Sequence, residues 1–148
     1  MKLTPTILAT TLVLSTTTVN ADQPEPAVAR TGIIVFHMTG FEHDEGKVRC
    51  GLYTDERWLK EGEGDAVQIR NKKATCIFED VPHGVYGIAA FHDEDDDGEL
   101  DTRIFIPTEP GCFSNNAKPR LGPPSFKRSR FNHDRARTAQ QCMVGGVR

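Results

Sequence analysis

Apolar and polar residues alternate along Gly32 to Met38, Lys47 to Tyr53, Ala74 to Phe78 and Val85 to Phe91, and each run is short and bounded by Gly, Pro, Asp or Asn. A period of two is the mark of extended chain with one face buried. Val67 to Arg70 adds a weaker candidate before the turn Asn71-Lys72-Lys73, while Ser129 to His133 and Gln141 to Val144 complete the set. Asp55 to Glu61 alone predicts helix, one or two turns that carry Trp58 and Leu59 onto the core. Strands half-buried in this way must pair their apolar faces, so the expected fold is all-β: an Ig-like or transthyretin-like antiparallel β-sandwich of about seven strands with one short helix. Pro107 to Phe126 holds five prolines and two glycines and is expected to form a long ordered loop or flap.

A chain of 148 residues with 26% charged residues builds one domain with a modest core. The N-terminus reads as processing information. Met1-Lys2 is a short positive start, Ile7 to Leu14 a short apolar stretch too short to span a bilayer, and Val19-Asn20-Ala21 a small-residue cleavage site. The expectation is a signal peptide over residues 1–21 cut after Ala21, a linker over 22–31 and a single domain over 32–148, periplasmic or secreted and without a transmembrane segment. Four cysteines in an exported chain favour two disulfides. Three connectivities are possible. Cys50 shares a face with Val48 and Leu52, and Cys76 with Ala74 and Phe78, so these two favour each other and leave Cys112 for Cys142. The spacing contains no C-x-x-C, which disfavours zinc ribbons and thioredoxin-like redox work.

The most informative stretch is His92-Asp93-Glu94-Asp95-Asp96-Asp97-Gly98-Glu99-Leu100-Asp101, in which seven of the nine residues from Asp93 onward are acidic. Neighbouring carboxylates about 4 Å apart repel by roughly 1 kcal/mol per pair even in water. A divalent cation relieves that repulsion. Asp93, Asp95 and Asp97 stand at alternate positions, Gly98 permits a sharp turn, Glu99 offers its backbone carbonyl and Asp101 completes D-x-D-x-D-G-x-x-D. Oxygen donors in this number suit calcium in a structural role. The twelfth position of a full EF-hand loop, normally a bidentate Glu, is here Ile104, so Glu109 or another distant acid is the candidate for the missing ligand.

Charge is segregated along the chain: residues 22–117 carry 20 acids and 9 bases, residues 118–148 carry 1 acid and 8 bases. Lys118, Arg120, Lys127, Arg128, Arg130, Arg135 and Arg137 are expected to face the acidic body, with weak contact to an anionic surface as the other reading. Phe126 and Phe131 interleave with them, but no nucleic-acid motif is present and no nucleic-acid partner is expected. His92 reads as a hydrogen-bonded structural residue, and His37, His43, His83 and His133 show no metal-ligand spacing. Ser114 lies in no nucleophile elbow, and loop acids held by calcium make poor general acids, so no catalytic residue is assigned. The leading expectation is a non-catalytic module presenting loops to an envelope protein or glycan. The alternative is a small secreted hydrolase using loop acids or Ser114.

Several strings resemble a family of small exported bacterial domains catalogued as domain of unknown function 2141. They are Gly46-Lys47-Val48-Arg49, Phe78 to Tyr86, Phe91-His92-Asp93 through Gly98, Leu100-Asp101, Ile106 to Pro110, Phe113 to Asn116 and Gly122 to Phe126, within a region from Gly32 to about Phe131. The resemblance implies a β-sandwich of the prealbumin type and brings no activity with it. The chain departs from that pattern at Cys112 and in its basic tail after Phe131.

Overall fold

The computed structural model describes residues 30–103 and 106–145. The expected signal peptide and most of the linker lie outside the described residues, as does Ile104. The long strands are β1 (Thr31–Thr39), β2 (Lys47–Tyr53), β3 (Glu63–Gln68), β4 (Lys73–Pro82) and β5 (Gly84–Asp93). Short ones follow: β6 (Thr102–Arg103), β7 (Ile106–Pro107), β8 (Gly111–Phe113) and β9 (Phe131–His133), then the longer β10 (Arg137–Met143).

One sheet has the order β10-β1-β4 and the other β3-β2-β5-β8, with β9 pairing the first part of β5 and β6-β7 forming a separate ribbon. Alternation explains which side of each strand faces in. Along β2 the buried positions are Val48, Cys50 and Leu52, and along the first half of β4 they are Ala74, Cys76 and Phe78. These join Ile34, Phe36, Met38, Ile88 and Ala90 in one core between the sheets. Burying side chains of this size stabilises by roughly 1.5–3 kcal/mol each, which makes the inter-sheet core the main term holding the fold.

The cysteine pairing preferred from the sequence, Cys50 with Cys76 by strand face and Cys112 with Cys142 as the remaining pair, is present, and both bridges cross between sheets. Cys50 of β2 is joined to Cys76 of β4 with Cα atoms 6.6 Å apart, and Cys112 of β8 to Cys142 of β10 with Cα atoms 6.0 Å apart. The layers are therefore stitched on both flanks.

Three features differ from the sequence expectation. The pairing of β1 with β10 is parallel, Ile33 opposite Arg137 through Thr39 opposite Met143, whereas the other strand pairs are antiparallel. Asp55 to Glu61 folds as consecutive turns, because Leu59 takes a left-handed backbone (φ 56°) that ends any helix; Trp58 is half-buried but Leu59 is exposed. The short α-helix is instead α1 (Phe126–Ser129). The proline-rich flap is ordered by contact with the outer face of the second sheet. Trp58 donates its indole N–H to the Pro124 carbonyl at 2.9 Å and packs edge-on against Tyr53 and Phe126.

Candidate functional site

β5 runs out of the core at His92 and Asp93, both buried, and delivers the chain into the acidic loop. The loop is folded by its own first carboxylate. Asp93 accepts the N–H of Asp97 on Oδ1 and the N–H of Gly98 on Oδ2, each at 3.1 Å, which pulls the fifth and sixth residues back over the first. Asp96 (φ 59°) and Gly98 (φ 91°) supply the left-handed backbone that this reversal needs. Asp97 accepts the Glu99 N–H at 2.8 Å, and Asp95 accepts the Asp97 N–H at 3.3 Å. Carboxylate oxygens of Asp93, Asp95 and Asp97 consequently lie within 4.8 Å of one another.

Glu109 closes the loop at its base. Buried at 5% exposure, it accepts the Glu94 N–H on Oε1 at 2.9 Å and the Asp101 N–H on Oε2 at 3.1 Å. Its oxygens thus clamp the two ends of the loop. The structure brings Asp93, Asp95 and Asp97 together; Glu99 and Asp101 are exposed and stand outside that group, Glu99 donating its N–H to Asp97 and Asp101 donating its N–H to Glu109.

Two cations from β2 meet the loop, and sequence reasoning did not single them out. Arg49 pairs through Nε with Asp93 and reaches Asp96 at 3.4 Å, while Lys47 Nζ lies 2.7 Å from Asp96. Part of the carboxylate repulsion is therefore neutralised by the protein itself. Burial alone would raise the Asp93 pKa, but the Arg49 hydrogen bond and charge and the Asp97 and Gly98 N–H groups together hold it below the ordinary carboxylate value. The reciprocal hydrogen bond to Asp93 raises the pKa of Arg49. A signal was available: Lys47 and Arg49 alternate with the buried Val48 and Cys50, so both were bound to stand together on the outer face of β2.

The other candidates resolve into structural parts. Ser114 is fully buried; its hydroxyl donates to the Ser129 carbonyl at 2.6 Å and accepts the Ile88 N–H at 2.8 Å. With no histidine or acid among those partners, it ties the β8 end to β5 and α1. Phe126 and Phe131 are buried rather than free to stack on bases. Lys118, Arg120, Lys127, Arg128, Arg130, Arg135 and Arg137 are all exposed, and among the described residues the ion pair they make is Arg135 with its neighbour Asp134, at 3.0 Å. The Arg and Lys ion pairs made to the acidic loop among the described residues come from Arg49 and Lys47 of β2 and not from this run. No helix among the described residues is long and apolar enough to cross a membrane.

Fold and site define a small two-sheet β-sandwich, stitched by disulfides between its layers, that displays an acidic loop at the end of its longest central strand. The profile of the family described as "Uncharacterized protein conserved in bacteria (DUF2141)" matches residues 36–141, and the chain belongs to that family. Comparison with curated proteins and with solved structures finds no match.

Proposed function

We propose that the protein is an exported, non-catalytic module whose acidic loop is ordered by calcium and whose neighbouring loops meet an envelope protein or glycan. The observation that carries this reading is the convergence of the Asp93, Asp95 and Asp97 oxygens on one side of a loop already folded by its own N–H groups. Hard oxygen donors fit Ca²⁺, which tolerates irregular coordination, whereas Mg²⁺ demands near-ideal octahedral geometry and keeps more of its water. The loop fits the ion with one limit: Asp93 also holds Arg49, so the guanidinium competes for the innermost ligand. Backbone carbonyls such as that of Glu99, and water, complete the shell.

Export is supported by the leader-like residues 1–21 and by two inter-sheet disulfides, which persist in an oxidising compartment. The buried hydroxyl of Ser114 removes the obvious nucleophile of the hydrolase alternative. The exposed basic residues 118–137 favour salt-sensitive contact with an anionic surface as a secondary property.

The test is thermal unfolding of the mature, chelator-treated protein with Ca²⁺ restored. A calcium-dependent rise in Tm that disappears in Asp95→Asn supports the reading. An identical Tm with and without Ca²⁺ removes it. Affinity capture from the envelope fraction, with and without chelator, then addresses the partner.

A further inference from the structure

Along the same stretch of chain the even-numbered residues form a second, chemically different group. His92 and Glu94 flank Asp93, and His43, from the connection between β1 and β2, stands beside them. Donor atoms of His43, His92 and Glu94 all lie within 4.8 Å of one another: His43 Nε2 is 3.6 Å and His92 Nδ1 is 3.8 Å from Glu94 Oε1. The two imidazoles stand with their centroids 4.9 Å apart.

What points to a ligand is the state of the two rings. His92 is 1% exposed, and its Nε2 is 2.7 Å from the Glu45 carbonyl, which can only accept, so Nε2 carries the proton. In the neutral ring Nδ1 is then a bare lone pair, and it faces the Glu94 carboxylate. A backbone carbonyl that fixes the tautomer and turns the other nitrogen outward is the usual support of a metal-binding histidine. On His43, Nδ1 is buried without a hydrogen-bond partner, so no neighbour on that side fixes the tautomer, and Nε2 faces Glu94. Two imidazole nitrogens and one carboxylate oxygen therefore converge, and the His92 nitrogen among them is held as a bare acceptor.

Edge contact with Phe41, at 5.4 Å between centroids, holds the His92 ring. Gly46 (φ 72°) lets the β1–β2 connection press against the loop, since a Cβ there would collide with the Asp93 carbonyl. Donors about 2.0–2.2 Å from a tetrahedral Zn²⁺ stand roughly 3.3–3.5 Å from one another. The observed 3.6 and 3.8 Å separations close to that range with a small side-chain adjustment of the exposed Glu94.

From this geometry we infer that His43, His92 and Glu94 form a binding site for a late first-row divalent ion of the Zn²⁺ type, with three protein ligands and an open position. Imidazole nitrogens favour such an ion over Ca²⁺ or Mg²⁺. This site shares no ligand with the proposed calcium loop and does not depend on it.

The experiment is calorimetric titration of the mature, disulfide-intact, chelator-stripped protein with ZnCl₂ at pH 7.5, for the wild type and for His43→Ala, Glu94→Gln and Asp95→Asn. One Zn²⁺ per chain is expected, with affinity falling at least tenfold in His43→Ala and Glu94→Gln and holding in Asp95→Asn. Because a variant can perturb the loop, the wild type is also followed by ¹⁵N correlation spectra of the histidine rings. The Nδ1 signal of His92 and the Nε2 signal of His43 should both move on adding Zn²⁺. Absence of stoichiometric binding, equal affinity in His43→Ala, or ring signals that move with pH but not with Zn²⁺ would each overturn the proposal, the last by showing that a proton is the only cation held there. Loss of calcium-dependent melting in the wild type, with zinc binding intact, would count against the calcium reading alone.

Discussion

Replacing Glu109 tests whether the acidic loop is held from below. In the native protein this buried carboxylate accepts two N–H groups, those of Glu94 and Asp101, at the two ends of the loop. A hydrogen bond to a charged group contributes about 1.5–3 kcal/mol. Both donors belong to exposed residues, so water replaces the lost acceptor and the low end of that range applies. Glu109→Ala is expected to destabilise by about 2–3 kcal/mol in all, a Tm loss on the order of 10 °C for a domain of this size. Glu109→Gln is the more informative change. Its amide keeps one acceptor oxygen but turns an NH₂ toward the second donor, so about half the effect should remain. Urea unfolding gives the global figure, and amide hydrogen exchange of Glu94 and Asp101 gives the local one. In Glu109→Ala both amides should exchange faster, by about tenfold per 1.4 kcal/mol of lost closure; in Glu109→Gln one should and the other should not. Wild-type exchange at both amides in Glu109→Ala would refute the clamp.

Arg49→Gln should lower the Tm of the chelator-stripped protein by leaving the buried Asp93 without its counter-ion, and Ca²⁺ should restore more stability to this variant than to the wild type; equal calcium responses would show that the guanidinium and the ion do not compete. Reduction of the disulfides, which span 26 and 30 residues, should cost about 3–4 kcal/mol for each bridge, read as a lower urea midpoint in dithiothreitol. Tyr53 is raised above the ordinary phenol pKa by burial, and Tyr86 by burial and then by the charge of Glu63. Their neutral forms are favoured in the native state, so stability should be constant below the unfolded phenol pKa, near 10, and fall as pH rises through the higher folded values; absorbance titration of tyrosinate, native against urea-unfolded, checks the sign.

The long strands and the cysteine pairing were legible because both rest on which side of an extended chain a residue occupies, a property that local alternation records. Val48, Cys50 and Leu52 on one strand and Ala74, Cys76 and Phe78 on another could only be buried together. The parallel partnership of β1 with β10 was not legible, because nothing in either segment states the direction of its neighbour. Asp55 to Glu61 misled for a related reason: Trp58 and Leu59 suggested a helical face, but only Trp58 is retained, by Pro124, Tyr53 and Phe126, all supplied by other parts of the chain. At the site, the carboxylate spacing could be read directly. The alternation in β2 places Lys47 and Arg49 on one outer face, but that they meet the acidic loop, and that His43 does so as well, is tertiary and has no trace in the local pattern.

The parallel pairing carries a consequence for biogenesis. β1 hydrogen-bonds on one side to β4, some 40 positions later, but its other side waits for a strand more than 100 positions downstream. A chain that emerges amino end first must therefore expose an open strand edge until residues 137–143 have followed, and an exposed edge recruits other chains. The first sheet therefore closes only once the C-terminal strand is available, and covering of that edge until then is what keeps the growing chain from pairing with its neighbours.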